Sequence, residues 1–397
     1  MSITKKFLNL FKSGKSAEEE AARKAAEKER CENFLMALNT GDLDARWSAV
    51  RSVGDLGEPF IVPLIRGLSD EYWIIRRGSA DTLGKIGGTA VGPLIDALEV
   101  EGDDVRQETI RALQLIGGPS VQPLIMALKH THPLIRRGAA HALGVMGEAR
   151  AVPQLIDALK DTDPQVRHES AVALGRIGDP QAVGALIVSL NDQRESVRMA
   201  AMATLCSLGE AAIDPLIRAL VDPNEDISRR AALALVTLGE SSVDPLIRVL
   251  KDQNPGIRKG AAEVLGQIGN TRAIPQIIEA LGDPERSVRI EVVRALAALG
   301  VPAIAPLMQV FRDGDIRVRT GAMEALWMLG QPATTPLIMV LKDDQSDIRK
   351  RAALLLGEIG DQKAVDHLTS LLSDENVTVR KEAFEALEMI KKRATAL

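Results

Sequence analysis

The chain is written in short apolar blocks whose period is helical. In Val166-Arg167-His168-Glu169-Ser170-Ala171-Val172-Ala173-Leu174-Gly175-Arg176-Ile177-Gly178 the apolar residues recur three and four positions apart. That spacing predicts a helix with one buried face. Val243-Asp244-Pro245-Leu246-Ile247-Arg248-Val249-Leu250 predicts a shorter second helix. Its proline falls in the first turn, where a missing N–H costs nothing. A short polar loop follows, often with Asp or Pro, and the pair begins again.

The pairs are in phase along the chain. An arginine opens the first helix at Arg46, Arg76, Arg106, Arg136, Arg167, Arg198, Arg258, Arg289, Arg319, Arg349 and Arg380, and Ser228 fills the gap. A glycine closes it at Gly57, Gly87, Gly117, Gly147, Gly178, Gly209, Gly239, Gly269, Gly300, Gly330 and Gly360, in the role of a left-handed helix end. Some repeats carry one extra residue in the turn between the paired helices, as in Gly178-Asp179-Pro180-Gln181-Ala182-Val183. Such an insertion is expected to lengthen a surface turn and leave the packing intact.

The motif [VI]-R-x-x-A-[AV]-x-[AV]-L-G-x-[IL]-G, followed by A-V-x-x-L-[IV]-x-x-L-x-D, resembles the HEAT-like repeats first named for phycobilin lyases. The resemblance runs from about residue 33 to 392. It implies an all-α solenoid of two-helix repeats, here eleven pairs between unpaired end helices. It leaves function open, because that family hosts scaffolds, chaperone-like adaptors, chromophore lyases and an iron hydroxylase.

Residues 1–32 depart from the repeat and form an amphipathic and charged extension before the solenoid of residues 33–397. Ile3, Phe7 and Phe11 share a helical face between Lys5, Lys6 and Lys12. They are a candidate for weak membrane-surface contact or for a partner groove through residues 3–12. Gly14 is expected to break this segment before the Glu-, Ala-, Lys- and Arg-rich run from Ala17 to Arg30. The last helix, from Val379 to Lys392, reads as the opposite cap.

Composition narrows the function. Aromatic residues are 3% of the 397 residues, which suits thin layers of small helices better than an enzyme core. The net charge of −5 argues against specific nucleic-acid binding. Cys31 and Cys206 form no disulfide framework or metal spacing, so a reducing, cytoplasmic setting is expected. No apolar run reaches the ~18 residues of a membrane span, and no secretory signal pattern opens the chain.

Two rows of charge need an account. Asp70, Asp161, Asp192, Asp222, Asp252, Asp283, Asp313, Asp343 and Asp374 each stand two residues after the last apolar residue of a second helix. Stacking should bring each near an arginine of its own or the next repeat, so a ladder is expected rather than a phosphate-binding stripe. The second helices also present Arg66, Asp96, Met126, Asp157, Val188, Arg218, Arg248, Glu279, Gln309 and Met339 at one outward position. Met126, Val188 and Met339 are apolar where water is expected, and methionine suits adaptable partner surfaces. Arg218 and Arg248 have Asp214 and Asp244 one turn before them, within ion-pair reach. These ten are the candidate partner-binding residues, on a face expected to be concave, for one or more proteins or peptides.

Catalytic chemistry finds little support. His168-Glu169 looks like the His-Glu motif of deoxyhypusine hydroxylase, but no other repeat has His at that position, and two irons need several such pairs. His130 and His132 lack further metal ligands nearby, and His130 replaces the usual Asp. No phosphate-cradling glycine loop and no serine nucleophile elbow occur. No metal, cofactor or catalytic residue is therefore assigned. Trp327 occupies the slot filled by Gly84, Gly144, Gly175, Cys206, Gly266 and Gly357 in other repeats, which predicts a locally repacked repeat. Tyr72 and Trp73 are a candidate interface anchor. The reading is a non-enzymatic scaffold or adaptor. The alternatives are a lyase- or chaperone-like factor for a chromophore protein and a membrane tether.

Overall fold

The computed structural model describes residues 3–53, 57–100 and 102–396, with side chains described from Glu20 to Ala394 in those ranges. Among the described residues there are 24 α-helices and no strand: an all-α solenoid. The chain forms two compact units, Met1–Thr204 and Leu205–Leu397.

The first unit opens on α1 (Ile3–Thr40). Its first helices are α2 (Leu43–Ser52), α4 (Trp73–Ile86), α6 (Asp103–Ile116), α8 (Pro133–Met146) and α10 (Pro164–Ile177). Their second helices are α3 (Ile61–Gly67), α5 (Val91–Asp96), α7 (Gly118–Ala127), α9 (Val152–Ala158) and α11 (Val183–Ser189). Helix α12 (Glu195–Ser207) carries the chain into the second unit. There α13 (Glu210–Ala219), α15 (Glu240–Val249), α17 (Ile274–Glu279), α19 (Ile304–Asp313), α21 (Thr334–Val340) and α23 (Val365–Ser370) are second helices. The first helices are α14 (Glu225–Leu238), α16 (Pro255–Ile268), α18 (Arg286–Leu299), α20 (Ile316–Leu329) and α22 (Ser346–Ile359), and α24 (Val377–Ala396) ends the unit.

The helical period becomes a thin core. Helix α10 buries Val166, Ser170, Ala171, Ala173 and Leu174, and α11 buries Val183, Leu186 and Ile187. The small residues let neighbouring helices approach closely, which is why so few rings are needed. Asp163 starts α10 by accepting hydrogen bonds from the N–H groups of Gln165 and Val166.

Three expectations are corrected. Helix α1 runs unbroken through Gly14, so one helix joins the extension to the Phe34–Leu38 segment. Phe34 meets Phe60 edge-on at 5.9 Å, and this contact anchors α1 to the turn before α3. Pro123, Pro215 and Pro245 lie inside α7, α13 and α15 rather than in a first turn, because those helices begin directly after the closing glycine.

The third correction concerns the glycines. All eleven have positive φ, but they fall into two groups. Gly147, Gly178, Gly269 and Gly360 are left-handed helical, with ψ between 14° and 32°. They belong to the repeats with the extra turn residue, hereafter long-turn repeats. The next residue, Glu148, Asp179, Asn270 or Asp361, then caps a 3-10 turn through its side chain. The other seven have ψ between −124° and −148°, a region almost reserved for glycine, and no side-chain cap follows.

Candidate functional site

The arginine row is satisfied inside the molecule. Arg167 Nη1 donates to the carbonyl oxygens of Asp161 at 2.8 Å and Thr162 at 3.3 Å. The same pair of carbonyls receives Arg76, Arg136, Arg198, Arg258, Arg289, Arg349 and Arg380 in their repeats. Each of these arginines thus ties the loop before it to its own helix. Eight of the nine aspartates, all but Asp313, play a second part: Oδ1 accepts the N–H two residues on, as from Asp163 to Asp161 at 2.8 Å. His130 copies this, its Nδ1 lying 3.1 Å from the N–H of His132, which requires that nitrogen to be unprotonated.

The expected Arg–Asp ladder is only partly built. Two-pronged pairs join Arg136 to Asp161, Arg167 to Asp192, Arg258 to Asp283 and Arg349 to Asp374, with contacts of 2.6–2.9 Å. All four lie in long-turn repeats, where the inserted residue advances the aspartate by one position. Elsewhere the pairing differs: Arg76 takes Asp104, Arg106 takes Asp103 and Asp343 takes Arg312. Among the described residues, only Arg46 keeps a short-turn contact with its own repeat's aspartate, Asp70. Burial pushes the carboxyls of Asp161, Asp192 and Asp283 up, but the guanidinium and main-chain donors outweigh it and hold them below the ordinary range. The Arg349 hydrogen bond does the same for Asp374.

The second-helix face is built differently. In the first unit Arg66, Asp96, Met126, Asp157 and Val188 are all exposed; in the second, so are Arg218, Arg248, Glu279, Gln309 and Met339. Met126 is 69% exposed, Val188 64% and Met339 72%. Among the described residues only Glu279 of the charged members is in an ion pair, with Lys251 at 2.8 Å. The pairs expected within α13 and α15 do not form. Asp244 bonds Arg272 of the next repeat instead, and the exposed Arg248 has no ion pair among the described residues. The backbones of Ile3, Phe7 and Phe11 lie in α1, and their side chains fall outside the described residues.

Sequence reading missed one buried cluster. Glu169 is 8% exposed and meets His141 Nδ1 at 2.8 Å, with Arg176 at 3.9 Å. Burial raises this carboxyl, but His141, Arg176 and Arg137 bring it below its ordinary value. His141 stands one repeat earlier, so only the stacking register reveals the pair. His168 turns instead to the carbonyl of Ser196 at 3.0 Å. Among the described residues no group of three or more His, Cys, Asp or Glu is placed to hold a metal ion. Burial pushes the thiols of Cys31 and Cys206 up, away from nucleophilic use. Trp327 is 50% exposed: its repeat accommodates the ring by turning it to solvent. Tyr72 lies under the Arg46 guanidinium, 5.4 Å from ring centre, while Trp73 is exposed.

An engineered protein of solved structure is 22% identical, with 83% of this chain and 98% of that chain covered, at a TM-score of 0.27. Human deoxyhypusine hydroxylase with glycerol is 21% identical, with coverage of 77% and 97% and a TM-score of 0.26. A structure of Kap121p is 15% identical and covers 91% of this chain but 48% of its own, at a TM-score of 0.39. At these scores none of the three carries a functional implication. Among curated proteins there is no match. The family of HEAT repeats matches residues 32–114, 91–163, 152–236, 213–286, 274–355 and 334–397. The match supports HEAT repeats as such and does not single out the phycobilin-lyase branch. With matches from residue 32 to the last, the chain belongs to the HEAT-repeat family.

Proposed function

We propose that this chain is a non-enzymatic scaffold or adaptor that holds a protein or peptide partner on its second-helix face. The carrying observation is a contrast within each repeat. The loop arginines of the first helices are bonded to carbonyls and aspartates, so they add little free field. The second-helix residues Arg66, Asp96, Asp157, Arg218 and Arg248 are exposed without an ion pair among the described residues, and Met126, Val188 and Met339 stand among them. Mixed charge and adaptable apolar side chains on a regular helical scaffold suit modest contacts repeated along a partner.

Affinity capture from native lysate tests this, comparing the intact chain with an Arg218→Glu/Met126→Glu/Met339→Glu variant. The expected result is a partner held by the intact chain and lost by the variant. Retention by both moves the site to another face. Because all three positions are exposed, the variant should unfold at the same denaturant concentration as the parent.

A further inference from the structure

Neighbouring first helices leave a groove between them in each unit. In the first unit it is a cavity of about 190 Å³ along α6 and α8, and in the second one of about 320 Å³ along α18 and α20. Their linings correspond by repeat position: Asp103 with Arg286, Arg106 with Arg289, Gln107 with Ile290 and Ile110 with Val293. The charges do not correspond. The first groove answers its own bases, Asp103 meeting Arg106 at 2.6 Å and Glu169 meeting His141 at 2.8 Å. The second has Arg286 in place of the acid, adds Arg317, and is lined by a single carboxylate, Glu324. Among the described residues none of its three arginines is in an ion pair.

Arg289 carries the sharpest difference. Its Nη1 donates to the carbonyls of Asp283 at 2.7 Å and Pro284 at 2.9 Å, as its counterparts do. In the long-turn repeats the remaining Nε and Nη2 then grip an aspartate, as Arg167 grips Asp192. In Arg289 these two donors have no hydrogen-bond partner among the described residues, and both are open to solvent. Arg198 has the same open fork, but Glu195 stands there at the position of Arg286. The acids around the second groove do not cancel its charge. Asp283 is held by Arg258, and Asp315 accepts the N–H groups of Arg317 and Val318. Glu285 and Asp313 do not line the groove. Glu324 stands two turns along α20 from Arg317, about 10 Å by helix rise.

The rest of the lining is aliphatic. Val293 is buried, and Ile290 and Ile316 are 41% and 73% exposed. A hydrated phosphate gains nothing from such walls, and no ring lines the groove for a base to stack on. A carboxylate beside an aliphatic side chain uses both parts. The volume lies near the lower end of ligand-sized cavities, ~300–1,000 Å³, which suits a few residues. We propose that the groove of the second unit binds an acidic peptide segment. One carboxylate takes the open fork of Arg289, a flanking acid meets Arg286 or Arg317, and an aliphatic residue between them covers Ile290 and Ile316. This surface belongs to the first helices, so it goes beyond the second-helix docking reading and is tested apart from it.

The test uses the full chain with isotope-labelled isoleucine methyls and the peptide acetyl-Gly-Glu-Leu-Glu-Gly-amide. That peptide is expected to shift the Ile290 and Ile316 methyl resonances in a saturable way. Replacing both its Glu by Gln should weaken binding about tenfold, and replacing its Leu by Ser about fivefold. Arg286→Glu/Arg317→Glu, at exposed positions, should weaken it about tenfold with an unchanged unfolding midpoint. Arg289→Lys keeps the charge, loses the fork and should weaken it about fivefold. The Arg218→Glu/Met126→Glu/Met339→Glu variant should bind the peptide within about twofold of the parent, its changes lying on other helices. Absent isoleucine shifts, equal binding of the Gln peptide, or parental binding by Arg289→Lys overturns the proposal. So does inorganic phosphate that shifts the same methyls at the same concentration, which makes the groove a general anion site. Loss of the peptide in the second-helix variant places it on the other face and overturns the groove as well.

Discussion

The long-turn and short-turn repeats have nearly the same helical pattern and are built by different means. In the long-turn repeats three features coincide. The closing glycine is left-handed, the arginine grips its aspartate with two prongs, and a second glycine lets the next first helix approach. A methyl group on Gly144, Gly266 or Gly357 would lie 2.6–2.7 Å from the Cα of Ala173, Ala295 or Ala386. At Gly175 it would meet Thr204 Oγ1 at 2.7 Å. Short-turn repeats put Gln114, Cys206, Val236, Ala297 or Trp327 in that slot. Gly54 and Gly84 are the exceptions there, and Gly84 faces the Leu115 side chain rather than backbone. One inserted residue is thus not neutral to packing. It changes which groups meet, because a turn of a different length delivers the second helix, and its aspartate, in a different register.

The sharpest way to break this comparison is to refill the slot. Gly144→Val should cost about 3 kcal/mol, because the methyls would strike helix backbone that cannot move aside. Gln114→Val, at an exposed short-turn position, should stay within about 0.5 kcal/mol. Urea denaturation of the two variants reads the difference, and equal costs would end the distinction.

The closing glycines give a smaller contrast in the opposite sense. Asn tolerates the left-handed region but not the one used in short turns. Gly178→Asn is therefore expected to cost about 1 kcal/mol and Gly209→Asn about 2–3 kcal/mol. Thermal unfolding of both in one buffer decides it.

The ion pairs come next. Asp192→Asn should cost about 1.5 kcal/mol through the loss of a charge-assisted, two-pronged bond to Arg167. Asp222→Asn keeps the loop bond to Asn224 and should cost about 0.5 kcal/mol or less. Amide exchange in the flanking loops separates them.

The smallest expected effect is on acid stability. Asp161, Asp192, Asp283 and Asp374 have folded values below their unfolded ones. Their contribution is present above the unfolded value, near 3.9, and is lost as pH falls through the folded one. Exchange protection around Asp192 should drop below about pH 4. In Asp192→Asn that local drop should vanish; a drop that persists would assign it to other carboxylates.

Much of the fold was legible because the repeat is local. A 3.6-residue period, a glycine stop and a phase marker every repeat specify helix pairs without long-range information. The exposed second-helix positions were legible for the same reason: a helical period states which residues cannot reach the core. Gly14 misled because an isolated glycine costs only about 1 kcal/mol, and the Ala-, Glu- and Lys-rich run beyond it favours helix strongly. Trp327 was read as a packing problem, but a half-exposed ring needs no room in the core.

By itself the sequence determined helix, repeat number and which face of each helix is buried, since these follow from spacing within about a dozen residues. Tertiary structure alone decided who meets whom between repeats: Arg258 with the Asp283 carboxylate but Arg198 with the Asp192 carbonyl, His141 with Glu169, Asp244 with Arg272 rather than Arg248. The reason is geometric. A charged side chain finds its partner within about 3 Å, and one residue more or less in a turn moves the partner farther than that.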